Sequence, residues 1–412
     1  MIKTNPFTST TFCSIWSKHF LDDREPRSFN FIKNISFYQS KIPGLYINSG
    51  RNLTKGLNLE LGESSTELEK GKTFLIYDVI DFESNNQAVE KTDMGHYAIR
   101  QYPGYLIDLS SFKSLDDYLS KTFKKSSRYK LRKYKKRLEE SFNISFKAYC
   151  GDMSQNEYDS IFSSFRNLLE KRFAEKQISN NNLDKEEWDF YKDVAHPMIL
   201  EKKAVLFVMY NNDEPISVTL GYLSKSRIFD AITVFDIDFT KFHLGSIKIM
   251  YLIDWCVKNG WHTLDFSKGH FDYKTRWANK QFDFYYHIWF DKKSLKARAI
   301  SYSLKLFFTL KQVLRERKVN DILHRFTYRL KNKEEQKAQY AFEENGPDCT
   351  KVPLEELNLK SNENELFKRV CYDFLYLFPE NESNIKIFRL ANHESLYLIK
   401  GKEKESFVRL IQ

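Results

Sequence analysis

Apolar residues recur along the chain at two spacings, and each spacing predicts a different kind of secondary structure. Between residues 9 and 21 they recur every three to four positions, which predicts a helix with one apolar face. Three segments with strand signals follow, separated by glycines. These segments are SFYQSKIPGLYI, KTFLIYDVIDF and YAIRQYPGYLIDL. We expect the first 110 residues to form a mixed unit of helix and strands.

From residue 144 to residue 291 the signals follow the order strand, two helices, three strands, helix, strand, short helix and strand. Only NDEP and SKS separate the three consecutive strands, so hairpins are expected there. The strand after the apolar helix 247–259 uses that helix as a crossover and is expected to pair in parallel. The fold class is therefore α+β or α/β, a mixed and mostly antiparallel sheet with flanking helices. The sheet is expected to open, and to admit ligands, at its parallel pair.

The last part of the chain contains further helix and strand signals. Two helices are expected between residues 294 and 338, the first of them apolar enough to pack on the body of the protein. The segment AFEENGPD is predicted to be a linker. Residues 350–412 resemble a small α/β piece, with a helix over 363–378 and three strands, and the sequence assigns it no role.

Composition and charge restrict the partners of the protein. The chain has 412 residues, 42 % of them hydrophobic, and a formal net charge of +10, which favours anionic partners. The five cysteines are far apart and form no CxxC pair, so neither a disulfide framework nor a zinc site is expected. No apolar run suggests a signal peptide or a membrane span. We expect a cytoplasmic protein, with peripheral contact to the inner face of the membrane as an alternative.

Residues 115–140 combine an apolar helical face with a high density of positive charge. Between Lys121 and Arg137, ten of seventeen residues are Lys or Arg, and three aromatic residues lie among them. This pattern predicts one or two basic amphipathic helices. Their basic face has three interpretations, namely binding of tRNA or another nucleic acid, contact with an anionic membrane surface, or a solvated face without a ligand.

The densest mixture of polar side chains follows a strand signal, in the segment DFSKGHFDYKTRWANK at residues 265–280. A loop at the C-terminal end of a strand is a frequent place for a site in an α/β sheet. A solvated turn between a strand and a helix, with Trp277 packed in the core, accounts for the same residues. From the residues alone, both interpretations stay open.

Four segments together resemble the GNAT acyltransferases, and more specifically the CelD/BcsL-like acetyltransferases near the FemAB-like branch. The segments are NPFTSTTFCSIWSKHF, SLDDYLSKTFKKSSRYKLRKYKKRLEE, FHLGSIKIMYLIDWCVKNGWHTLDFSKG and YKTRW. The resemblance implies two GNAT-type halves, a degenerate one over residues 1–112 and a catalytic one over 113–293. A helical extension over 294–340 and a small α/β appendage over 350–412 complete the expected division.

The resemblance also implies a reaction. The expected donor is acetyl-CoA or another acyl-CoA, and the expected acceptor is an amine or hydroxyl group of a sugar, polysaccharide precursor or cell-envelope intermediate. GNAT enzymes hold the donor pyrophosphate on backbone N–H groups at a helix N-terminus, which is a natural anion site. The residues implied for the donor here are Val234, Phe235, His243, Leu244, Gly245 and Ser246.

The donor loop departs from the family pattern Q/R-x-x-G-x-G/A. Phe242 stands in its first position and Ile247 in its last small position. A different donor is therefore an alternative, such as the aminoacyl-tRNA of FemAB-like transferases. A non-enzymatic basic binding module on the same fold is a further alternative, since a fold does not prove a chemistry.

Acyl transfer needs proton donors and acceptors near the reacting carbonyl. Tyr273 is a candidate proton donor to the leaving thiolate, and Asp265 a candidate to orient or deprotonate the acceptor. Lys274 is a candidate partner for an anionic group of the substrate. Each has a plain structural interpretation as well, as a packing tyrosine, a turn-capping aspartate and a solvated lysine.

Further polar residues of the same region are predicted to contact the acceptor. They are Asp236, Lys268, His270 and Arg276. His243 and His270 are candidate bases, although an incidental position is the favoured interpretation of each. No spacing typical of metal ligands occurs, so no metal is expected.

Overall fold

The computed structural model describes residues 5–21, 25–62, 69–80, 94–177, 180–316, 339–343, 346–347, 352–359, 365–391, 393 and 395–411. Its helices are α1 (Thr10–Phe20), α2 (Leu115–Thr122), α3 (Lys125–Ser141), α4 (Gln155–Lys176), α5 (Lys185–Leu200), α6 (Leu244–Lys258), α7 (Asp272–Trp277), α8 (Leu295–Glu316) and α9 (Glu365–Leu377).

Sixteen strands accompany these helices in the described part of the chain. They are β1 (Arg27–Phe29), β2 (Ile32–Gln39), β3 (Leu45–Asn48), β4 (Thr73–Ile80), β5 (Met94–Asp108), β6 (Ile144–Tyr149), β7 (Ala204–Asn211), β8 (Glu214–Leu223), β9 (Arg227–Phe235), β10 (Thr263–Lys268), β11 (Lys280–Asp291), β12 (Gln339–Glu343), β13 (Leu354–Glu356), β14 (Lys386–Leu390), β15 (Leu396–Lys400) and β16 (Glu405–Ile411).

Eleven strands form one sheet in the order β1-β2-β3-β4-β11-β5-β10-β9-β8-β7-β6. Its named strand pairs are antiparallel except β3 with β4 and β9 with β10. The predicted parallel pair after the crossover helix is therefore confirmed, whereas the second one was not predicted. The two central strands are exchanged, because β5 follows β4 in the chain but pairs with β10, and β11 follows β10 but pairs with β4.

The region from β6 to β11 follows the predicted order of elements, and the mixed, mostly antiparallel sheet is confirmed. Strands β7 and β8 are buried along almost their whole length. Helices α4 and α5 cover one face of the sheet there, and α6 covers the other. This double cover explains why both strands read as nearly continuous apolar runs.

The basic segment of the sequence forms two helices, α2 and α3, as predicted. Ser114 caps α2 through its hydroxyl, which accepts a hydrogen bond from the Asp117 N–H. On α3 only Leu131, Leu138 and Ser141 are buried, so most of its charged residues face outward. Helix α3 precedes β6 and packs against α6.

The C-terminal residues form a second sheet of five strands in the order β12-β16-β15-β14-β13. Helix α9 connects this unit to the large domain, where Tyr372 and Tyr376 pack against Phe142, Phe239 and Phe242. The first residues of the predicted linker belong to β12, which pairs with β16, so the linker prediction is wrong there. A distant strand, invisible to local pattern, provides the hydrogen bonds.

Helix α8 lies against the sheet through Ala297, Ser301 and Phe308 and exposes several apolar side chains on its other face. The second helix predicted in this region falls on residues 317–338, outside the described residues. Within the described part of the chain, no helix has both the length and the apolarity that a membrane crossing requires.

Candidate functional site

The chain turns sharply at the end of β10, directly beside the parallel pair. Ser267 and Gly269 have φ angles of +60° and +116°, and the pairing of β10 with β5 shifts register between Asp265 and Lys268. The Asp265 carboxylate accepts a hydrogen bond of 2.7 Å from the Ser267 N–H and holds this turn. A serine in the left-handed region is strained, and such strain is concentrated at functional sites.

The turn directs Lys268 toward the other end of the sheet. Its ammonium pairs with Asp78 of β4 and lies 3.2 Å from the amide oxygen of Gln101. Asp78 is fully buried and also has a positive φ, +58°. Lys268, predicted to contact substrate, therefore ties the first part of the chain to the turn.

Helix α7 begins three residues after Gly269. Lys274 is buried, and its ammonium donates hydrogen bonds to the backbone carbonyls of Lys268 at 2.8 Å and Ser267 at 3.3 Å. Burial lowers the pKa of Lys274 to about 8, although the nearby Asp230 and Asp265 carboxylates oppose this effect. Because Lys274 is buried, its interpretation as a solvated lysine is wrong. Its assignment as a substrate contact stays a prediction.

Asp265 has no exposed surface. Burial raises the pKa of its carboxyl group to about 6, and the Arg227 guanidinium at 3.3 Å and the Ser267 N–H only partly offset this. Because the carboxylate faces its own turn and Arg227, it positions the end of β10. Because Asp265 is completely buried, its carboxylate has no direct access to a substrate in this structure.

Two charged residues that the sequence analysis did not single out lie in the same cluster. Asp230 of β9 and Lys248 of α6 are both buried, with the ammonium 3.8 Å from the carboxylate. Lys248 also donates to the Thr233 hydroxyl, and burial lowers its pKa. The Asp230 Oδ2 atom is buried and accepts no hydrogen bond from the described residues. The same oxygen faces the Lys248 ammonium at 3.8 Å, so the ion pair offsets part of the cost of burying it.

Lys55, from the segment between β3 and β4, adds another cation. Burial lowers its pKa, and the carboxylates of Asp78, Glu187 and Asp230 act in the opposite direction. Carboxylates from β4, β9 and β10 thus meet lysines from β10, α6, α7 and the connection between β3 and β4. We refer to Lys55, Lys248, Lys268, Lys274, Asp78, Asp230 and Asp265 as the central charge cluster.

Tyr273 lies at the edge of the central charge cluster and is half-buried. Its hydroxyl makes no hydrogen bond to the residues that the structure describes, and its ring packs on Phe266 and Phe271. Burial and the Asp230 carboxylate raise the pKa of Tyr273, while the Arg172 guanidinium acts in the opposite direction. The hydroxyl is therefore protonated at neutral pH and has no acceptor among the described residues.

The N-terminus of α6 lies beside Phe235, and the Arg172 guanidinium packs on the ring of Phe235. His243 caps the helix with φ +58°, and its carbonyl accepts hydrogen bonds from the Ser246 and Ile247 N–H groups at 2.8 and 3.2 Å. The N–H groups of Leu244 and Gly245 belong to the first turn, where no intrahelical acceptor exists. An anion at this end of the helix would be favoured by these donors and by the helix dipole.

Gly245 is needed for packing at this helix end. A Cβ atom at this position would lie 2.7 Å from the ring of Phe235, and the Arg172 guanidinium lies 4.3 Å from the centre of the same ring. Phe235 and Arg172 therefore cover the start of α6. Val234 is fully buried, and its carbonyl accepts a hydrogen bond from the Ser217 hydroxyl at 2.8 Å.

The remaining predicted residues lie outside the central charge cluster. Asp236 is buried and pairs with Lys171 at 3.1 Å, in a pocket shared with helix α9. His270 is exposed and lies 3.1 Å from the Tyr105 hydroxyl. Arg276 is exposed. The pKa of His243 is lowered mainly by its own burial and also by the positive charge of Arg276.

Trp277 is buried, as predicted, and packs against Phe123 with the ring centres 4.9 Å apart. The Tyr118 hydroxyl donates to its carbonyl. Among the residues that the structure describes, no cluster of three or more His, Cys, Asp or Glu side chains is placed to hold a metal ion.

Comparison with known families decides the broad class of this site. Residues 125–275 match the family model for the acetyltransferase (GNAT) domain. This part of the chain is similar to a GNAT domain. The match runs from α3 into α7, so it includes the start of α6, the turn after β10, Tyr273 and Lys274. The closer affiliation to CelD/BcsL-like acetyltransferases stays a prediction.

Solved structures share this fold at low identity. FemX is 12 % identical over 68 % of this chain and 93 % of its own, with a TM-score of 0.47. L-PGS from Bacillus licheniformis is 13 % identical over 69 % and 94 %, with a TM-score of 0.42. A tandem GNAT protein from the clavulanic acid biosynthesis pathway is 7 % identical over 61 % and 77 %, with a TM-score of 0.34. Such scores do not indicate a substrate. No curated protein matches the chain.

Proposed function

We propose that this protein is a GNAT-type transferase that moves an acyl group from acyl-CoA to an amine or hydroxyl. Acetyl is the acyl group that we expect. The acceptor class, a sugar, polysaccharide precursor or cell-envelope intermediate, rests on the family resemblance. The observation that carries the proposal is the Tyr273 hydroxyl. It has no hydrogen-bond acceptor among the described residues, and it lies near Asp230 of the central charge cluster and near Arg172, which packs on Phe235 beside Gly245.

In this proposal the acceptor attacks the thioester carbonyl, and the carbon–sulfur bond breaks as the new bond forms. Tyr273 donates its proton to the leaving sulfur and regains one from the solvent, while the acceptor loses its proton to water. A general acid of this kind contributes about 10²–10⁴-fold to a rate. Asp265 and Lys274 act as positioning residues, since they fix the turn that carries α7.

The departures in the donor loop have a structural explanation that supports the proposal. Phe242 and Ile247 are fully buried in the core that the GNAT domain shares with α9. Phe242 packs on Tyr376 of the C-terminal unit and Ile247 lies in the same core, whereas the N–H groups of Leu244 and Gly245 are backbone atoms that do not depend on side chains. The donor contacts assigned to Val234, Phe235 and His243–Ser246 remain part of this proposal.

A second candidate function is aminoacyl transfer from tRNA. The exposed basic face of α3 favours it, because a polynucleotide needs many cations and coenzyme A needs few. We propose the cytoplasm as the location in either case, with contact to the inner face of the membrane as an alternative. Direct binding of each donor separates the two functions.

The decisive experiment compares donors and then variants. Acetyl-CoA, longer acyl-CoA and aminoacyl-tRNA are tested for an increase in melting temperature, which corresponds to about 2.7 kcal/mol at 100 times Kd. Turnover is then measured with amino-sugar and sugar acceptors. Tyr273→Phe is expected to lower kcat about 10²-fold with unchanged unfolding free energy. Tyr302→Phe, at an exposed tyrosine of α8, is the control. Full activity of Tyr273→Phe would remove the catalytic assignment.

A further inference from the structure

An open groove of about 790 Å³ lies between helix α3 and helix α9 of the C-terminal unit. Helix α3 and the residue before it contribute Lys124, Lys125, Lys130 and Lys133, together with Tyr129 and Tyr134. Tyr376 forms the opposite wall. No carboxylate is among the residues that line it. We refer to this feature as the lysine–tyrosine groove.

The groove lysines differ from three other basic residues of the same helix. Arg132, Lys135 and Lys136 are paired with Asp116, Glu139 and Glu140. The four groove lysines form no ion pair with the residues that the structure describes, and neither do Arg128 and Arg137, which do not line the groove. The groove therefore gathers four cations that no described carboxylate neutralises.

The spacing along α3 explains this grouping. Residues 125, 129 and 133 are four positions apart, as are 126, 130 and 134, so they share one side of the helix. Lysines and tyrosines alternate along it, and Tyr129 is 69 % exposed. From Lys124 to Lys133 the helix rises about 14 Å, which spans two or three nucleotide units. Stacking rings beside cations are the common means of holding nucleotides.

The groove leads to the start of α6. Tyr134 stacks on the imidazole of His243, with the ring centres 3.9 Å apart, and His243 caps that helix. A ligand lying along the groove can therefore place one phosphate at the Leu244 and Gly245 N–H groups. Its reactive end would then point past Arg172 toward Tyr273.

We infer that the lysine–tyrosine groove binds the nucleotide portion of the acyl donor, with bases on the tyrosines and phosphates on the lysines. The inference rests on the proposed transferase function only in calling this ligand the donor. The same chemistry is present in coenzyme A and in the 3′ end of an RNA. The C-terminal unit gains a role through Tyr376, as one wall of the site.

A membrane surface fits this groove less well. A helix that binds a bilayer inserts an apolar face between the lipids. The leucines of α3, Leu131 and Leu138, are buried in the protein, and the groove side of the helix is lined by lysines, tyrosines and Ser126. The groove is also bounded by α9, so a flat surface would not reach its floor.

Direct binding of coenzyme A and of a short single-stranded RNA, measured by fluorescence anisotropy or calorimetry, tests the inference. The double variant Lys125→Ala, Lys133→Ala is expected to weaken binding and to reduce the slope of log K against log salt for RNA by about 1.4. The control Arg132→Ala, Lys136→Ala changes the net charge equally on the same helix and is expected to bind like the wild type.

A second pair of variants tests stacking. Tyr129→Ala is expected to weaken binding about 5- to 150-fold, and Tyr129→Phe to retain it. Tyr129 is exposed, so neither change affects folding. Loss of coenzyme A binding in the groove variants assigns the coenzyme, and loss of RNA binding assigns the polynucleotide. The inference is overturned if both ligands bind these variants normally, or if only anionic phosphatidylglycerol vesicles lose binding.

Turnover separates failure of the groove from failure of the proposed function. Gly245→Val places a branched side chain at the α6 N-terminus, where it also meets the Phe235 ring, so its unfolding free energy is measured beside its turnover, and Tyr273→Phe removes the proton donor. If these two keep full turnover while the groove variants lose binding, the groove stands and the catalytic assignment falls. If they lose turnover while the groove variants bind and turn over normally, only the groove is wrong.

Discussion

The two parallel strand pairs of the large sheet, β3–β4 and β9–β10, have the same arrangement but different connecting segments and different charged residues. In each, a crossover connects the strands, and the second strand contains a residue with positive φ, Asp78 in β4 and Ser267 in β10. The crossover from β9 to β10 is the helix α6. In the connection from β3 to β4, the described residues include the short 3-10 turn Arg51–Leu53 and Lys55.

This difference shows how one topology supports two roles. The α6 crossover presents the N–H donors of its first turn at the sheet opening. The β3–β4 pair instead supplies Asp78, and its connection supplies Lys55, which meet the turn after β10 together with Gln101 of β5. The β9–β10 side of the sheet thus offers ligand donors, and the β3–β4 side supplies charges that hold the turn in place.

The largest effect on stability is expected at the ion pair between Asp78 of β4 and Lys268 of β10. Asp78→Asn keeps the size of the side chain and its tolerance of positive φ, but leaves the Lys268 ammonium without its anion. Removing one partner of a buried pair costs about 3–5 kcal/mol. We expect a loss of about 3 kcal/mol, since Lys268 keeps some exposure, measured as the unfolding free energy in urea.

The control for this variant is Asp283→Asn, whose partner Arg100 lies at 2.9 Å on the surface. An exposed pair contributes at most about 1 kcal/mol. Equal losses of unfolding free energy in the two variants would show that the Asp78–Lys268 pair is no stronger than a surface ion pair.

The fold was largely predictable from the sequence, because apolar spacing and short hairpin loops are local signals. The exchange of β5 and β11 and the pairing of β12 depend on distant segments, which periodicity does not report. The site was predictable in part. Asp265, Lys268, Tyr273 and Lys274 come together, while Asp236 and His270 do not.

The missed members of the central charge cluster had a signal in the sequence. Asp78, Asp230 and Lys248 each interrupt an otherwise apolar run, in FLIYDVI, RIFDAITV and GSIKIMYLI. A charge within a buried element needs a partner, so such positions mark clusters. Which charge meets which could not be predicted, since the partners come from different strands.

The next effect concerns pH. The pKa of Asp265 is about 6 in the folded protein, above the ordinary 3.8, because burial disfavours the carboxylate. The folded state therefore binds more protons than the unfolded state between about pH 4 and pH 6, and stability falls as the pH rises through this window. At 1.36 kcal/mol per pKa unit the loss is about 3 kcal/mol at most.

Asp265→Asn cannot ionise and escapes this loss. Its unfolding free energy relative to the wild type is expected to rise by up to about 3 kcal/mol from pH 4 to pH 6, whatever its offset at pH 4. Urea unfolding at several pH values measures this difference. A difference that stays constant across the window would mean that Asp265 titrates normally.

The smallest effect sharpens the comparison of the two strained residues. A non-glycine residue in the left-handed region costs about 1–2 kcal/mol, and glycine avoids this cost but loses about 0.5–1 kcal/mol through the flexibility of the unfolded chain. Ser267→Gly also loses the hydroxyl contact to the Lys55 carbonyl at 3.4 Å, so its unfolding free energy is expected to stay within about 0.5 kcal/mol of wild type. Ser267→Val, β-branched at the same φ, is expected to lose at least about 2 kcal/mol. If the valine variant is as stable as the glycine variant, the turn after β10 does not need its left-handed residue, and the parallel with Asp78 is only geometric.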